Sequence, residues 1–116
     1  MKTIEDLDVY QKMHEVLLCV YQITSRFPRH EIFGLASQMR RAAISVNSNL
    51  SEGSARHTKG EFKQFIGIAR GSAAELKYQV LIAKDLKYLA QQEYEKLIGD
   101  ITDVSKMLTG LSKSLT

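Results

Sequence analysis

Apolar residues near the start of the chain follow steps of three and four, the spacing of one face of a helix. The members of this stripe are Val9, Met13, Val16, Val20, Ile23 and Phe27. Asp8 and Gln11 have the spacing of a capping box that begins the helix, and Asp6 is an alternative cap. Pro28 ends the helix, because the residue before a proline is disfavoured in the α region.

A second stripe predicts a helix that follows Pro28 and stops near Arg56 and His57. Its members are Ile32, Leu35, Met39, Ala42 or Ala43, Val46, Leu50 and Gly53. Polar side chains recur beside it at the same three- and four-residue steps. They are Arg41, Ser45, Asn49 or Ser48, Glu52 and Arg56. At about 100° per residue the two sets occupy adjacent arcs of one helix, with Asn49 nearest the core.

Thr58 and Glu61 form the clearest capping box of the chain, and they predict the start of a third helix. From there an apolar heptad predicts a helix that reaches about Leu89. Its positions are Phe62, Ile66, Ala69, Ala73, Leu76, Val80 and Ala83. Such a strict heptad favours left-handed, coiled-coil-like packing against neighbouring helices.

The last stripe predicts a fourth helix near the end of the chain. Its members are Tyr94, Leu97, Ile101, Val104, Leu108, Leu111 and Leu115, and Gly110 weakens the final turns. No stretch alternates apolar and polar residues with period two, so no strand is predicted. Four amphipathic helices with short connections predict an all-α, up-down-up-down four-helix bundle, with residues 1–116 as one domain.

The third helix carries a second stripe beside its heptad, apolar at both ends and polar in the middle. This stripe comprises Phe65, Ile68, Ser72, Glu75, Gln79, Ile82 and Leu86. Gly67 and Gly71 lie beside it, and each costs about 1 kcal/mol relative to alanine inside a helix. Close packing within the monomer is one explanation for them, and contact with a second subunit is the other. The second explanation predicts an oligomer interface at Gly67, Gly71, Ser72, Ala74 and Glu75.

Candidate catalytic groups are sparse. Glu52 and Glu75 are two carboxylates that could form a general acid/base pair, but nothing in the sequence pattern supplies a nucleophile or a metal site to complete it. We expect them to form salt bridges across the helices with Arg40, Arg41 or Arg70. The three histidines lie on different segments and Cys19 is the only cysteine, so no metal site is predicted. The sequence therefore predicts a protein that is not an enzyme and has no cofactor.

The formal net charge of +3 hides an uneven distribution. Residues 26–70 contain eight Lys or Arg against three acids, whereas residues 71–116 contain six of each. A solvated basic surface is one interpretation, and a polyanionic partner is the other. The single cysteine and the absence of a signal-peptide pattern predict a reduced, cytoplasmic protein. No apolar run approaches the roughly 20 residues of a membrane span, so a membrane partner is not expected.

Several motifs together resemble a known family. They are Phe27-Pro28, Phe33-Gly34-Leu35, and the segments 7–10, 38–46, 49–53 and 69–75. The chain is similar to the bacterial four-helix-bundle family of ribosomal RNA intervening-sequence proteins, whose relatives include the accessory variability protein of diversity-generating retroelements. Asn47 departs from the pattern, since many relatives have a kinking proline there, and a straighter helix follows.

This resemblance implies a homopentameric ring that binds RNA or DNA, and it implies no catalytic residues. A ring repeats the basic middle segment in every subunit, which favours salt-sensitive binding to phosphate backbones. The predicted nucleic-acid-binding residues are Arg40, Arg41, Arg56, His57, Lys59, Lys63 and Arg70. Lys59 and Lys63 also lie at the start of a helix, where free amides favour phosphate. The alternative function is a protein-interaction scaffold that partners another protein, such as a reverse transcriptase-like enzyme.

Overall fold

The computed structural model describes residues 3–115, which form four α-helices, two short 3₁₀ helices and, within that range, no strand. The helices are α1 (Asp8–Thr24), α2 (Leu35–Ser54), α3 (Lys59–Asp85) and α4 (Gln91–Lys113), with 3₁₀ helices at Ile4–Asp6 and Arg29–Glu31. Each α-helix packs against the next one along the chain, and α4 also packs against α1. This arrangement confirms the all-α four-helix bundle.

The four predicted apolar stripes meet in one core. All six members of the first stripe are buried, as are six of the seven heptad positions on α3. Met13, Met39, Leu76 and Ile101 are among its largest fully buried side chains. Ile32 is an exception, because it lies before α2 in the turn that follows the second 3₁₀ helix and is 51% exposed. Its inclusion in the second stripe was wrong, since the helical register begins only at Leu35.

The predicted ends of α1 are corrected by the structure. Leu7 occupies the cap position and contributes no side-chain hydrogen bond, so Asp8 is the first helical residue and not the cap. Gln11 instead donates from Nε2 to the Glu5 carbonyl at 3.2 Å. The helix ends at Thr24, four residues before Pro28, where the Thr24 hydroxyl donates to the Val20 carbonyl at 2.7 Å. A side-chain hydrogen bond to a carbonyl one turn back is a local interaction that apolar spacing does not reveal.

The start of α3 agrees with its predicted cap, whereas its end comes earlier than expected. Thr58 Oγ1 accepts a hydrogen bond from the Glu61 amide at 3.1 Å, as the capping box requires. The Glu61 carboxylate accepts from the same hydroxyl at 3.1 Å. The helix stops at Asp85, short of Leu89, and Lys87 has a φ of 65°. A residue in this left-handed region ends the helix.

Glu31 fixes the connection between α1 and α2. Its carboxylate accepts from the Leu35 amide at 3.2 Å, at the start of α2, and from the Tyr88 hydroxyl at 2.9 Å. Both bonds stabilise the charged form and lower the pKa of Glu31, the Leu35 amide more than the Tyr88 hydroxyl. The Tyr88 ring in turn packs on Phe27 with centroids 5.1 Å apart. The connections α1–α2 and α3–α4 are therefore joined at the same end of the bundle.

Gly53 allows α2 and α3 to approach most closely. A Cβ added at Gly53 would lie 2.5 Å from the Phe65 Cβ and 3.0 Å from a ring carbon of Phe62. The contact at Phe65 involves an atom fixed to its backbone, so a methyl group here forces the helices apart. The predicted position of Gly53 on the core face is confirmed, and glycine is required there by the packing. None of the four helices, over residues 3–115, is long and apolar enough to cross a membrane.

We predict that Gly53→Ala lowers the free energy of unfolding by about 1–3 kcal/mol, the usual cost of overpacking, despite the better helix propensity of alanine. The matched control is Gly99→Ala on α4, where an added Cβ meets no atom within 4 Å. The control should gain roughly 0.5–1 kcal/mol from propensity alone. Urea denaturation followed by circular dichroism measures both, and equal stability of the two variants would contradict the packing argument.

Candidate oligomer and nucleic-acid interfaces

A hydrogen-bonded seam joins the polar stripe of α2 to α3. The hydroxyls of Ser45 and Ser72 are 2.8 Å apart. Asn49 Nδ2 donates to the Ser45 carbonyl at 2.8 Å and to its hydroxyl at 2.9 Å. Asn49 is half-buried and Ser48 is exposed, so Asn49 is the member of the stripe nearest the core, as predicted. Ser72, a predicted interface residue, therefore uses its hydroxyl within its own chain.

A shallow cleft of about 360 Å³ lies over this seam. It is lined by Gln38, Arg41, Ala42, Ser45, Ser72 and Glu75. Glu75 accepts a hydrogen bond from Gln79 Nε2 at 3.2 Å. Arg41 is exposed and has no hydrogen bond or ion pair with residues 3–115. The cleft thus presents one carboxylate and one guanidinium on a polar, solvent-open surface.

The predicted salt bridges across the helices are wrong. Glu52 pairs at 2.8 Å with Arg56, two residues beyond the end of α2, and the Arg56 guanidinium lies 4.9 Å from the centre of the Phe65 ring. The two partners are only four residues apart, so this ion pair is local and does not join two helices. Glu75 forms no ion pair within residues 3–115.

Arg40 joins α2 to α1 rather than to a carboxylate. Its Nε donates to the Thr24 hydroxyl at 2.8 Å, and its guanidinium lies 4.5 Å from the centre of the Tyr21 ring. Thr24 is only 4% exposed and also donates to a carbonyl of α1, so its hydroxyl is fully used. Arg40 is therefore part of the packing of this chain.

The outward side of α3 has no partner within the chain. We define the outer face of α3 as Gly67, Ile68, Gly71, Ala74, Glu75, Tyr78 and Leu86, all of which are exposed. Ile68, Tyr78 and Leu86 are 52%, 64% and 49% exposed. A Cβ added at Gly67 or Gly71 would meet no atom within 4 Å. Packing within the monomer, one of the two explanations for these glycines, is therefore wrong.

The predicted nucleic-acid-binding residues fall into two groups. Arg40 and Arg56 are engaged by the contacts above, whereas Arg41, His57, Lys59, Lys63 and Arg70 have no hydrogen bond or ion pair with residues 3–115. The structure does not bring the free cations together on one surface, because Arg41 lies at the cleft between α2 and α3. Lys63 and Arg70 lie seven residues apart on α3, and the same spacing continues to Lys77 and Lys84. Lys77 and Lys84 were not among the predicted binding residues, because they lie outside the basic segment 26–70, although their heptad spacing is visible in the sequence.

Three cations near the interface between α1 and α4 are neutralised. Lys12 lies 3.5 Å from Asp100, and Lys96 donates to the same carboxylate at 2.8 Å. Burial alone would raise the pKa of Asp100, but the hydrogen bond and charge of Lys96, with those of Lys12, lower it. Arg26 pairs with Glu93 across the same interface between α1 and α4. The acids that face α1 are thus occupied. Outside α2 and α3, the cations of Arg29, Lys87 and Lys106 also have no ion pair within residues 3–115.

A further cleft, of about 530 Å³, lies between the ends of α1 and α4 and includes Cys19, Gln22, Arg26 and Glu93. Burial raises the pKa of the Cys19 thiol, which disfavours the nucleophilic thiolate. Among residues 3–115, no three His, Cys, Asp or Glu side chains lie close enough to hold a metal ion. We find no activated nucleophile in this cleft.

A comparison with known protein families identifies the family of this chain. The family model for the 23S rRNA-intervening sequence protein matches residues 5–110, which include nearly all of the four helices. The chain belongs to the 23S rRNA-intervening sequence protein family. The resemblance inferred from the motifs is thereby confirmed.

Solved structures support the fold of this family member. A crystallised protein of unknown function from the S23 ribosomal protein family of Bacteroides thetaiotaomicron has a TM-score of 0.83 to it. The two chains are 22% identical, over 90% of this chain and 95% of the other. Identity this low supports the fold alone. A search of curated proteins found no match.

The family motifs map onto the seam of this intervening-sequence protein. Segments 38–46 and 49–53 belong to α2 and segment 69–75 belongs to α3, so both sides of the seam carry residues of the resemblance. Asn47, where the resemblance predicts a proline, lies inside an uninterrupted α2. Its Nδ2 donates to the Tyr10 carbonyl at 2.9 Å and holds α2 against α1.

The two neighbouring arginines give a matched test of these contacts. We predict that Arg40→Met lowers the free energy of unfolding by about 1–2 kcal/mol, because it removes a charged hydrogen bond and a cation–π contact. Arg41→Met should change it by less than about 0.5 kcal/mol, the usual range for an exposed position without contacts. Denaturation curves at the same protein concentration compare them, and equal losses would show that Arg40 is not a packing residue.

Proposed function

We propose that this chain is a non-enzymatic bundle that assembles into a homopentameric ring and binds RNA or DNA through a basic surface. The observation that carries the proposal is the outer face of α3, which is exposed and apolar except at Glu75, and whose glycines meet no atom of another element of the chain. The number of subunits, five, comes from the family resemblance. The proposed basic surface contains Lys59, Lys63 and Arg70, since Arg40 and Arg56 are engaged within the chain.

The composition of the outer face of α3 favours contact with a second copy of this chain over exposure to water. Gly67 and Gly71 each destabilise the helix by about 1 kcal/mol relative to alanine. Such a cost is offset where another backbone approaches the glycine closely. No atom of the chain itself makes that approach. Ile68 and Tyr78 flank the glycines and supply exposed apolar area for such a contact. Contiguous exposed apolar area of this kind marks interaction sites.

Nucleic acid is the partner that free positive charge favours. Each subunit contributes unpaired cations, and a closed ring repeats them at regular intervals, which multiplies a modest charge into a continuous surface. Binding of this type depends on phosphate charge and weakens steeply as salt rises. The family description names a ribosomal RNA intervening sequence, which is consistent with an RNA ligand.

One observation favours the second candidate function, a scaffold for another protein such as a reverse transcriptase-like enzyme. Phe33 is 96% exposed in the connection that precedes α2, and the adjacent Ile32 is 51% exposed. A projecting aromatic side chain of this kind resembles the anchors of protein–protein contacts. The nucleic-acid experiment below separates the two functions.

For the assembly, we predict that Gly71→Leu reduces the native mass of the particle toward that of a single chain. The added side chain has open space in the monomer, so the helical content of the variant should stay unchanged. Gly99→Leu on α4 is the matched control and should keep the native mass, since it inserts the same side chain at another open helical position. Light scattering coupled to size exclusion measures the mass. A monomeric wild-type protein, or an unchanged mass for Gly71→Leu, would contradict the proposed interface.

For nucleic-acid binding, we predict that the wild-type oligomer binds RNA or DNA at low salt without strong sequence preference. The logarithm of the affinity should fall linearly with the logarithm of the salt concentration, by roughly 0.9 for each phosphate contacted on a duplex. Fluorescence anisotropy across a salt series measures this slope. An assembled protein that binds no nucleic acid at low salt would overturn the proposal in favour of the scaffold.

A further inference from the structure

A row of cations runs along α3 at intervals of seven residues. We define the basic row as Lys63, Arg70, Lys77 and Lys84. Seven residues of an α-helix rise about 10.5 Å, so the row spans roughly 32 Å. Positions seven apart drift by only about 20° around a straight helix, and the four side chains therefore share one flank of α3.

Contacts at both flanks of α3 locate the basic row. The Lys84 ammonium lies 4.9 Å from the centre of the Tyr94 ring, which places the row on the flank of α3 that faces α4. Ser72 is bonded to Ser45 of α2 and marks the opposite flank. The outer face of α3 lies between these two flanks. A second copy seated on that face would therefore leave the basic row accessible from the α4 side.

The row is largely free of acidic partners. Lys63, Arg70 and Lys77 form no ion pair or hydrogen bond with residues 3–115. Lys84 has one weak pair, with Asp85 at 3.9 Å. Glu61 and Glu75 lie two residues from Lys63 and Lys77 along the chain, on the other side of α3, and neither forms an ion pair within residues 3–115. The centre and the Lys63 end of the row therefore carry cations without an ion-pair partner.

The facing flank of α4 is uncharged over most of its length. From Tyr94, steps of four and three pass through Ile98 to four half-buried hydroxyl residues, which are Thr102, Ser105, Thr109 and Ser112. The ion-paired acids of α4, which are Glu93, Asp100 and Asp103, lie toward α1. The Thr109 hydroxyl already donates to the Ser105 carbonyl at 3.1 Å. Cations on one wall and the other three hydroxyls on the facing wall form a surface that suits phosphate oxygens.

We infer that the basic row binds the sugar–phosphate backbone of a nucleic-acid duplex laid along α3. This inference rests on the proposed nucleic-acid binding and specifies the surface and the class of ligand. The row is straight, and its cations repeat about every 10.5 Å over roughly 32 Å, close to the 34–36 Å of one duplex turn, so all four lie along the backbones that border the grooves of one rigid turn. Flexible single strands are bound instead by stacking on several aromatic side chains. Tyr94 is the one aromatic side chain shown in contact with the row, and Lys84 covers it.

The test compares Arg70→Glu/Lys77→Glu with the wild-type protein on RNA and DNA duplexes of 24 base pairs and on single strands of equal length. Fluorescence anisotropy at low salt should show duplex affinity reduced at least tenfold in the variant. The slope of the logarithm of its affinity against the logarithm of the salt concentration should be shallower by about 1.8, or 0.9 for each lost phosphate contact. Loss on either duplex supports the inference, and the two arms distinguish RNA from DNA.

Arg29→Glu/Lys106→Glu is the matched control, with the same change in net charge at two exposed cations outside the basic row. It should bind within threefold of wild type, and Arg70→Lys/Lys77→Arg should bind normally. Circular dichroism and native mass verify folding and assembly. If the double charge reversal does not fold, Arg70→Gln/Lys77→Gln takes its place.

If the wild-type protein binds but the variant and the control lose equal duplex affinity, the inference is wrong and the proposed function stands. A preference for single strands has the same meaning. Absence of all binding overturns the proposed function as well.

Discussion

The close packing of α2 against α3 is the constraint on which the rest of this structure depends. Gly53 lets the Phe65 side chain approach the α2 backbone, and the hydroxyls of Ser45 and Ser72 meet along the same contact. Polar groups at a seam are satisfied only when the two helices hold one register, since each donor needs its acceptor opposite it. Apolar burial supplies most of the stability of the bundle, and the seam selects one alignment of these helices.

This alignment fixes what each side of α3 can do. One side enters the core, one flank is bonded to α2 and the other flank lies beside α4, as Lys84 on Tyr94 shows. Only the outward side remains, and it carries glycines and exposed apolar residues, with Glu75 as the one charged member of the outer face. The two proposed functions of α3, association and phosphate binding, therefore use different sides of one rigid helix and do not compete.

The distribution of ion pairs separates structural charge from available charge. Between α1 and α4, Lys12, Lys96 and Arg26 each have a carboxylate partner. Arg40 and Arg56 lie over aromatic rings and bond to neighbours, so their charges contribute to packing. Surface pairs contribute little to stability, but they cancel the local field that would attract a polyanion. The cations left without partners on α3 define the surface where that field persists.

Apolar spacing by itself determined the four helices and nearly every core position, because burial of one face imposes a period that survives in the sequence. The sequence also predicted the hydroxyl cap at Thr58, since its partner is three residues away. It did not predict the side-chain pairings between helices. Arg40 was expected to bind a carboxylate and instead contacts Thr24 and Tyr21, while Glu52 pairs with Arg56 only four residues away. Many partners satisfy the charge of a long side chain, and only the rotation and separation of the packed helices decide which one is within reach.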